Sequence, residues 1–179
     1  MPSSRFAVPV ASLRRRPAGS RRVFVRGPVD DLAVLAVEVP TGADVVVDLV
    51  LSSYQGGIAA AGSIEAPWRA ECRRCGGRVD GSVHTEVRER FVQSDQVGED
   101  EDAYPLDGDV VDLLPLVRDA VMLALPLAPL CADDCRGLCP VCGADRNAAP
   151  CGCEARRDPR WAGLDVLSAG PAAEEDTGT

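Results

Sequence analysis

A chain of 179 residues with 46% apolar content has room for one ordinary core and a small appendage, and with seven aromatics that core is expected to be built from valine, leucine and alanine. The net charge of −9 argues against indiscriminate nucleic-acid binding, which comes mainly from phosphate neutralisation, and the longest apolar run, Ala120 to Ala132, is broken by Pro126 and Pro129 and falls short of the roughly 18 residues a membrane span needs. The motifs GxxxxGKS/T, GxSxG and HExxH are absent, so nucleotide-dependent and hydrolytic enzymes lack their usual machinery.

Charge is segregated along the chain. Residues 1–28 carry seven arginines and no acid, whereas residues 93–134 carry eleven acids against one arginine. Every basic residue is arginine, whose planar fork suits phosphates and bases, although a GC-rich genome produces the same bias without functional meaning. Any RNA contact is therefore expected to be local, on an arginine face.

In chain order, residues 1–28 read as a basic N-terminal segment. Arg5 to Leu13 is a short apolar stretch, strand or turn, that runs into the basic loop Arg14 to Gly19. Ser20 to Arg26 resembles a twin-arginine export signal, but Asp30 and Asp31 destroy the apolar segment such a signal requires, and no secretory h-region is apparent. A cytoplasmic, reduced protein is expected. Residues 29–128 read as an α+β core, with strands at Arg22–Arg26, Val45–Leu51, Ile58–Trp68 and Val83–Val92 forming an antiparallel meander, and a turn at Gln55-Gly56-Gly57. In the last strand Val83, Thr85, Val87, Glu89 and Phe91 share one face and His84, Glu86, Arg88 and Arg90 the other, with Glu89 on the wrong side. His84, the one histidine, is expected to be a solvated surface residue.

Residues 94–109 have the composition of a solvated acidic loop. Asp112 is expected to cap the main helix, with Pro115 in its first turn and Pro126 ending it after Leu125. Leu113, Leu116, Val117, Ala120, Val121 and Ala124 share a face, widened by Leu114, Met122 and Leu125, so the helix is expected to be nearly enclosed. Residues 129–167 form a cysteine-rich segment ending in a short helix capped by Asp158 with Pro159 at its first position and docked by Trp161, Leu164 and Leu167. Residues 168–179 read as a disordered acidic tail.

Six cysteines, Cys131, Cys135, Cys139, Cys142, Cys151 and Cys153, crowd into 23 residues, and Cys72-Arg73-Arg74-Cys75-Gly76 repeats upstream the CxxCG pattern of Cys139-Pro140-Val141-Cys142-Gly143. Such a stretch cannot build a core from apolar burial. In a reducing compartment these spacings point to metal ligation over disulfides, with zinc favoured because CxxC turns two thiolates toward one tetrahedral ion. One or two structural zinc ions are expected. Cys131, Cys135, Cys139 and Cys142 could form one site and Cys72, Cys75, Cys151 and Cys153 a second; alternatively, the two CxxCG pairs join. Four thiolates leave no open coordination position, so no catalytic role follows. The CxxC pair at Cys72 has the spacing of a redox dithiol but lies outside a strand–helix unit.

Glu71-Cys72-Arg73-Arg74-Cys75, Val111-Asp112-Leu113 leading to Leu123-Ala124-Leu125-Pro126, Leu130-Cys131, Gly137-Leu138-Cys139-Pro140-Val141-Cys142-Gly143, and Asp158-Pro159-Arg160-Trp161 with Leu164 resemble, in this order, the YceD family in its cysteine-rich actinobacterial form. The resemblance implies a non-enzymatic cytoplasmic factor in synthesis, processing or stability of large-subunit ribosomal RNA, with that RNA or a pre-ribosomal particle as partner and neither membrane nor small-molecule substrate involved. Arg69, Arg73, Arg74 and Arg78, clustered around the first knuckle, are the expected RNA contacts, with the basic N-terminus as a second. A scaffold contacting basic ribosomal proteins through the acidic 93–134 stretch, and a thiol or zinc redox sensor, are the alternatives. The expected class is α+β: an antiparallel sheet, one enclosed helix and a zinc-stabilised cysteine-rich C-terminal segment.

Overall fold

The computed structural model describes residues 5–16, 18–94, 103–154 and 158–164. In chain order its elements are β1 (Ala7–Pro9), α1 (Ala11–Arg14), β2 (Ser20–Pro28), β3 (Ala33–Val34), β4 (Val37–Glu38), β5 (Asp44–Tyr54), β6 (Gly57–Glu71), β7 (Arg78–Gln93), β8 (Tyr104–Asp107), β9 (Val110–Asp112), α2 (Leu114–Ala124) and a 3-10 helix at Pro159–Leu164. The chain divides into two units, Met1–Cys135 and Arg136–Thr179. The division falls inside the cysteine-rich segment.

The first unit is built on alternation. In β5, Val45, Val47, Leu49 and Leu51 are fully buried while Asp44 and Asp48 point the other way, and Ile58, Ala60, Ile64, Ala66 and Ala70 of β6 and Val87 and Phe91 of β7 continue the same inner face. β5, β6 and β7 form the expected antiparallel meander, with Tyr54 opposite Gly57 across the Gln55-Gly56 turn. Each strand runs further than its apolar stretch: β7 begins at Arg78, five residues before Val83, because backbone pairing with β6 continues to the Glu71–Arg78 pair. Each inner face is covered by the same core, to which Leu13, Leu106, Val111, Leu113, Leu116, Val117 and Val121 contribute.

The sheet runs β2-β5-β6-β7-β8-β9-β1, and β4, carrying β3, pairs with the far end of β6 at Val37–Ala70. Its ends meet: the Arg5 guanidinium donates to the Arg26 carbonyl at 3.1 Å and that of Arg21 to the Pro9 carbonyl at 2.7 Å, so the sheet curls until β1 and β2 are tied by side chains. The expectation of an antiparallel sheet is corrected to a mixed one, since β7 and β8 pair in parallel at Phe91–Tyr104. A parallel neighbour needs a crossover in place of a tight turn, and residues 94–103 lie between the two strands.

Two glycines of β6 lie where a side chain has no room. A Cβ on Gly62, which has φ +148°, would lie 2.2 Å from the Asp48 carbonyl oxygen, and one on Gly57 2.0 Å from that of Phe91. Both obstacles are backbone. Gly62→Ala is expected to destabilise the first unit by roughly 2–4 kcal/mol, read as a lower urea midpoint with unchanged slope.

Residues 103–109 depart from the loop expected of them. β8 and β9 pair as a hairpin closed by Gly108-Asp109, with Gly108 at φ +59°, Leu106 buried, and Tyr104 packed on Phe91 at 5.5 Å between ring centroids. Acidic content masked an Asp-Gly turn signal. Residues 95–102 lie outside the described residues.

α2 begins as Asp112 Oδ1 accepts the Leu114 N–H at 3.0 Å and stops at Leu125, whose extended backbone (φ −60°, ψ 136°) suits a residue before proline. Leu116, Val117 and Val121 are buried, but Leu123 is 87% exposed, so the helix lies on the sheet with one face open and is not nearly enclosed. Eleven residues span barely three turns, and one sheet face covers only one stripe of them. In the second unit Asp158 does cap the final turn, accepting from the Arg160 N–H at 3.0 Å. That turn is 3-10, and Trp161 and Leu164 are exposed where docking was expected; Leu167 lies outside the described residues.

Candidate metal centres

The β6–β7 hairpin ends in Cys72-Arg73-Arg74-Cys75-Gly76-Gly77, and its backbone folds tightly: the Cys72 N–H donates to the Gly77 carbonyl at 2.8 Å and the Gly76 N–H to the Cys72 carbonyl at 2.9 Å, with Gly76 at φ +72°. The second knuckle repeats this bond for bond. The Cys139 N–H donates to the Ala144 carbonyl at 2.8 Å, the Gly143 N–H to the Cys139 carbonyl at 2.8 Å, and Gly143 lies at φ +73°. The glycine after each CxxC is thus required by backbone conformation, since open space surrounds both α-carbons.

Each knuckle recruits a second cysteine pair from within its own unit. Cys131 and Cys135, following α2, come to the hairpin tip, where Cys72 Sγ lies 3.8 Å from Cys135 Sγ and Cys75 Sγ 3.6 Å from Cys131 Sγ. The Arg73 N–H donates to the Pro129 carbonyl at 3.0 Å, and the Arg74 guanidinium to the Cys135 carbonyl at 2.8 Å and that of Asp133 at 3.3 Å, which fastens the two segments. Cys151 and Cys153 join Cys139 and Cys142 in the same way, and within each set the four sulfurs lie within 4.8 Å of one another. Around that second set the Arg146 N–H donates to the Gly137 carbonyl at 2.9 Å, and the Asn147 amide oxygen accepts from the Arg136 N–H at 2.8 Å. All eight cysteines are free thiols.

Both partitions expected from the sequence are therefore corrected. The sulfurs group as Cys72/Cys75/Cys131/Cys135 and Cys139/Cys142/Cys151/Cys153. The most local grouping failed because Cys135 and Cys139 fall on opposite sides of the division between units. One signal was available. Each CxxCG knuckle needs a partner pair without that motif, and only eight residues separate Cys142 from Cys151, a short loop to close.

The electrostatics of the tetrads favour a cation. Cys72 is drawn down to about 6, first by the Arg74 backbone N–H, and Cys139 to about 6, first by that of Cys142. Cys131 is pushed up to about 12, chiefly by its bond with Cys135, and Cys153 to about 12 by its bond with Cys142. Within each tetrad a knuckle sulfur is prepared as a thiolate while a sulfur of the recruited pair is denied that charge. A divalent ion removes the conflict, and four sulfurs are a donor set it can occupy.

The arginines around the first knuckle are less available than the sequence suggests. Arg69 and Arg78 converge on Asp80, at 3.3 Å and 2.7 Å, and hold its carboxyl below the usual range, Arg78 more strongly. Arg74 is spent on carbonyls, leaving Arg73 as the one of the four without a side-chain partner among the described residues. His84 is exposed between Glu65 and Glu86, the surface residue expected.

Residues 60–168 match the model of the family described as "Large ribosomal RNA subunit accumulation protein YceD". An uncharacterized protein of Mycobacterium tuberculosis is 33% identical over 181 residues, covering 98% of this chain and 86% of the relative, and one of Mycobacterium leprae is 34% identical over 168 residues, covering 89% and 76%. No solved structure matches. A mostly β-sheet protein with two cysteine tetrads able to hold metal ions is thus the class that fold and site define. The chain belongs to the YceD family, whose name refers to accumulation of ribosomal RNA and to no catalysed reaction. No helix among the described residues is long and apolar enough to cross a membrane.

Proposed function

We propose that the chain is a non-enzymatic cytoplasmic factor that promotes synthesis, processing or stability of large-subunit ribosomal RNA by binding that RNA or an assembly intermediate, and that each tetrad holds one structural zinc. Membership of a family named for large-subunit ribosomal RNA accumulation carries the functional part. Depletion of the protein is expected to lower the ratio of large- to small-subunit ribosomal RNA, with unprocessed large-subunit precursor rising; an unchanged ratio and precursor level contradicts this role.

The zinc part is supported by geometry. A tetrahedral ion with sulfurs at about 2.3 Å sets them roughly 3.8 Å apart, and the contacts of 3.8 Å and 3.6 Å in the first tetrad fit. Zinc, when bound, supplies positive charge at the centre of four thiolates and no open position for substrate. Cys72 and Cys75 would hold the hairpin tip, and Cys131 and Cys135 the chain leaving α2. Cys139, Cys142, Cys151 and Cys153 would hold the second unit together. Arg73, set on the first knuckle and without a side-chain partner, is the arginine there best suited to a phosphate, while Arg69, Arg74 and Arg78 must first exchange an existing partner.

A further inference from the structure

Within Met1–Cys135 the inner face of the sheet is covered by the core and α2, and no other described element of this unit packs on the outer face of β2, β5, β6 and β7. Register fixes what it presents. Arg22, Val50, Ala61 and Arg88 fall in one rank across the four strands, and Phe24 leads the next, which continues through Asp48 and Ser63 to Glu86. Three interstrand steps separate the two arginines of the rank by about 14 Å, with only small side chains on the floor between them.

Phe24 is 66% exposed and stands between Arg22 and Arg26 on the same face of the same strand. The charges of the face balance in number, yet they differ in height. Arg22 is 73% exposed over Asp48 at 29%, and Arg26 64% over Asp44 at 37%, so the carboxylates are recessed and the guanidiniums stand outermost. Glu65 and Glu86 flank His84 and are exposed, at 58% and 73%, while Arg88 is exposed and has no partner among the described residues.

We propose that this face is a platform for single-stranded RNA, on which a base stacks against Phe24 while Arg22, Arg26 and Arg88 contact the phosphates on either side. The proposal rests on the ribosomal RNA role above and deepens it by naming the surface. An uncovered strand face bearing the exposed Phe24 ring suits a splayed base, because stacking is sequence-tolerant and asks only for a π-face. Along β2 and β5 the guanidiniums of Arg22 and Arg26 stand outside Asp48 and Asp44, and exposed ion pairs are weak, so phosphate can compete for both arginines. A duplex offers no unstacked base, so single strands, loops and ends are the expected ligands.

The test is fluorescence anisotropy with a labelled single-stranded RNA of about 12 nucleotides, within the span such platforms cover, against the same sequence annealed as a duplex. Phe24→Ala is expected to weaken single-strand binding by roughly ten-fold and Phe24→Tyr to preserve it, with the thermal midpoint of both variants unchanged because the ring is exposed. Arg88→Ala is expected to reduce the slope of log affinity against log salt by about one. Wild-type affinity and slope in both Phe24→Ala and Arg88→Ala overturn the platform and leave the ribosomal RNA role standing. Loss of a ribosomal-protein contact in Phe24→Ala with RNA binding intact overturns it in favour of a protein partner. A wild-type protein that binds no RNA also overturns it, and the depletion experiment then decides separately whether the broader role survives.

Discussion

Treating the reduced protein with a strong chelator is expected to collapse residues 136–154 while the sheet survives. The two units have different sources of stability. In Met1–Cys135 a continuous cluster of buried apolar side chains, from Phe6 to Leu125, supplies the driving force whether or not an ion is bound. In Arg136–Thr179 the one buried hydrophobic side chain among the described residues is Cys139, and Leu138, Val141, Trp161 and Leu164 are all exposed. Without an ion there, the knuckle hydrogen bonds stand in water and nothing draws the four thiols together. Structural zinc in small peptides is worth on the order of 10–16 kcal/mol of folding free energy, far beyond what a few backbone bonds replace. In a two-dimensional amide spectrum the resonances of 136–154 are expected to fall into the random-coil region after chelation, while those of β5, β6 and β7 keep their dispersion. Retained dispersion of 136–154 in metal-free, reduced protein would show that the second tetrad is not what holds this unit.

Phe91→Ala is expected to be the most damaging single substitution in the sheet. Phe91 is the largest fully buried side chain; its ring touches Tyr104 of β8, and its carbonyl oxygen occupies the space that a side chain on Gly57 would need. Truncation removes a large apolar area and leaves a cavity where β6, β7 and β8 meet, a change that costs about 3–5 kcal/mol in comparable cores. Domains of this size are stable by about 5–15 kcal/mol, so much of the margin goes. Urea unfolding followed by circular dichroism reads the loss as a lower midpoint, and Phe91→Leu is expected to recover a large part of it. A midpoint within a few tenths of a molar of wild type in Phe91→Ala would mean that the β7–β8 junction is not part of the cooperative core.

The long strands β2, β5, β6 and β7 were legible because period-two patterning survives in sequence wherever one face is buried. The two-residue strands β3 and β4 and the three-residue β1 carry too few residues to show a period, and they exist because a neighbouring long strand offers them backbone partners. The parallel β7–β8 pair was illegible for a related reason: strand direction depends on tertiary closure, and local residues do not encode it. At the sulfurs, the ligand types and the two knuckles could be read from CxxCG alone, but the partition could not. Cys131 and Cys135 reach Cys72 across some sixty residues of chain, brought there by the length of the β6–β7 hairpin and the stop of α2 at Leu125. Arginines near a turn looked like free cations, and Asp80, two residues beyond Arg78, claims two of them.

The most direct measurement is the zinc content of protein purified under anaerobic, reducing conditions, compared among the wild type, Cys72→Ser/Cys131→Ser and Cys72→Ser/Cys139→Ser. Two zinc per wild-type chain, one in the first variant and none in the second are expected, because the first pair of substitutions damages a single tetrad and the second damages both. A wild-type chain free of metal, or two variants that retain equal amounts, would contradict two independent zinc tetrads.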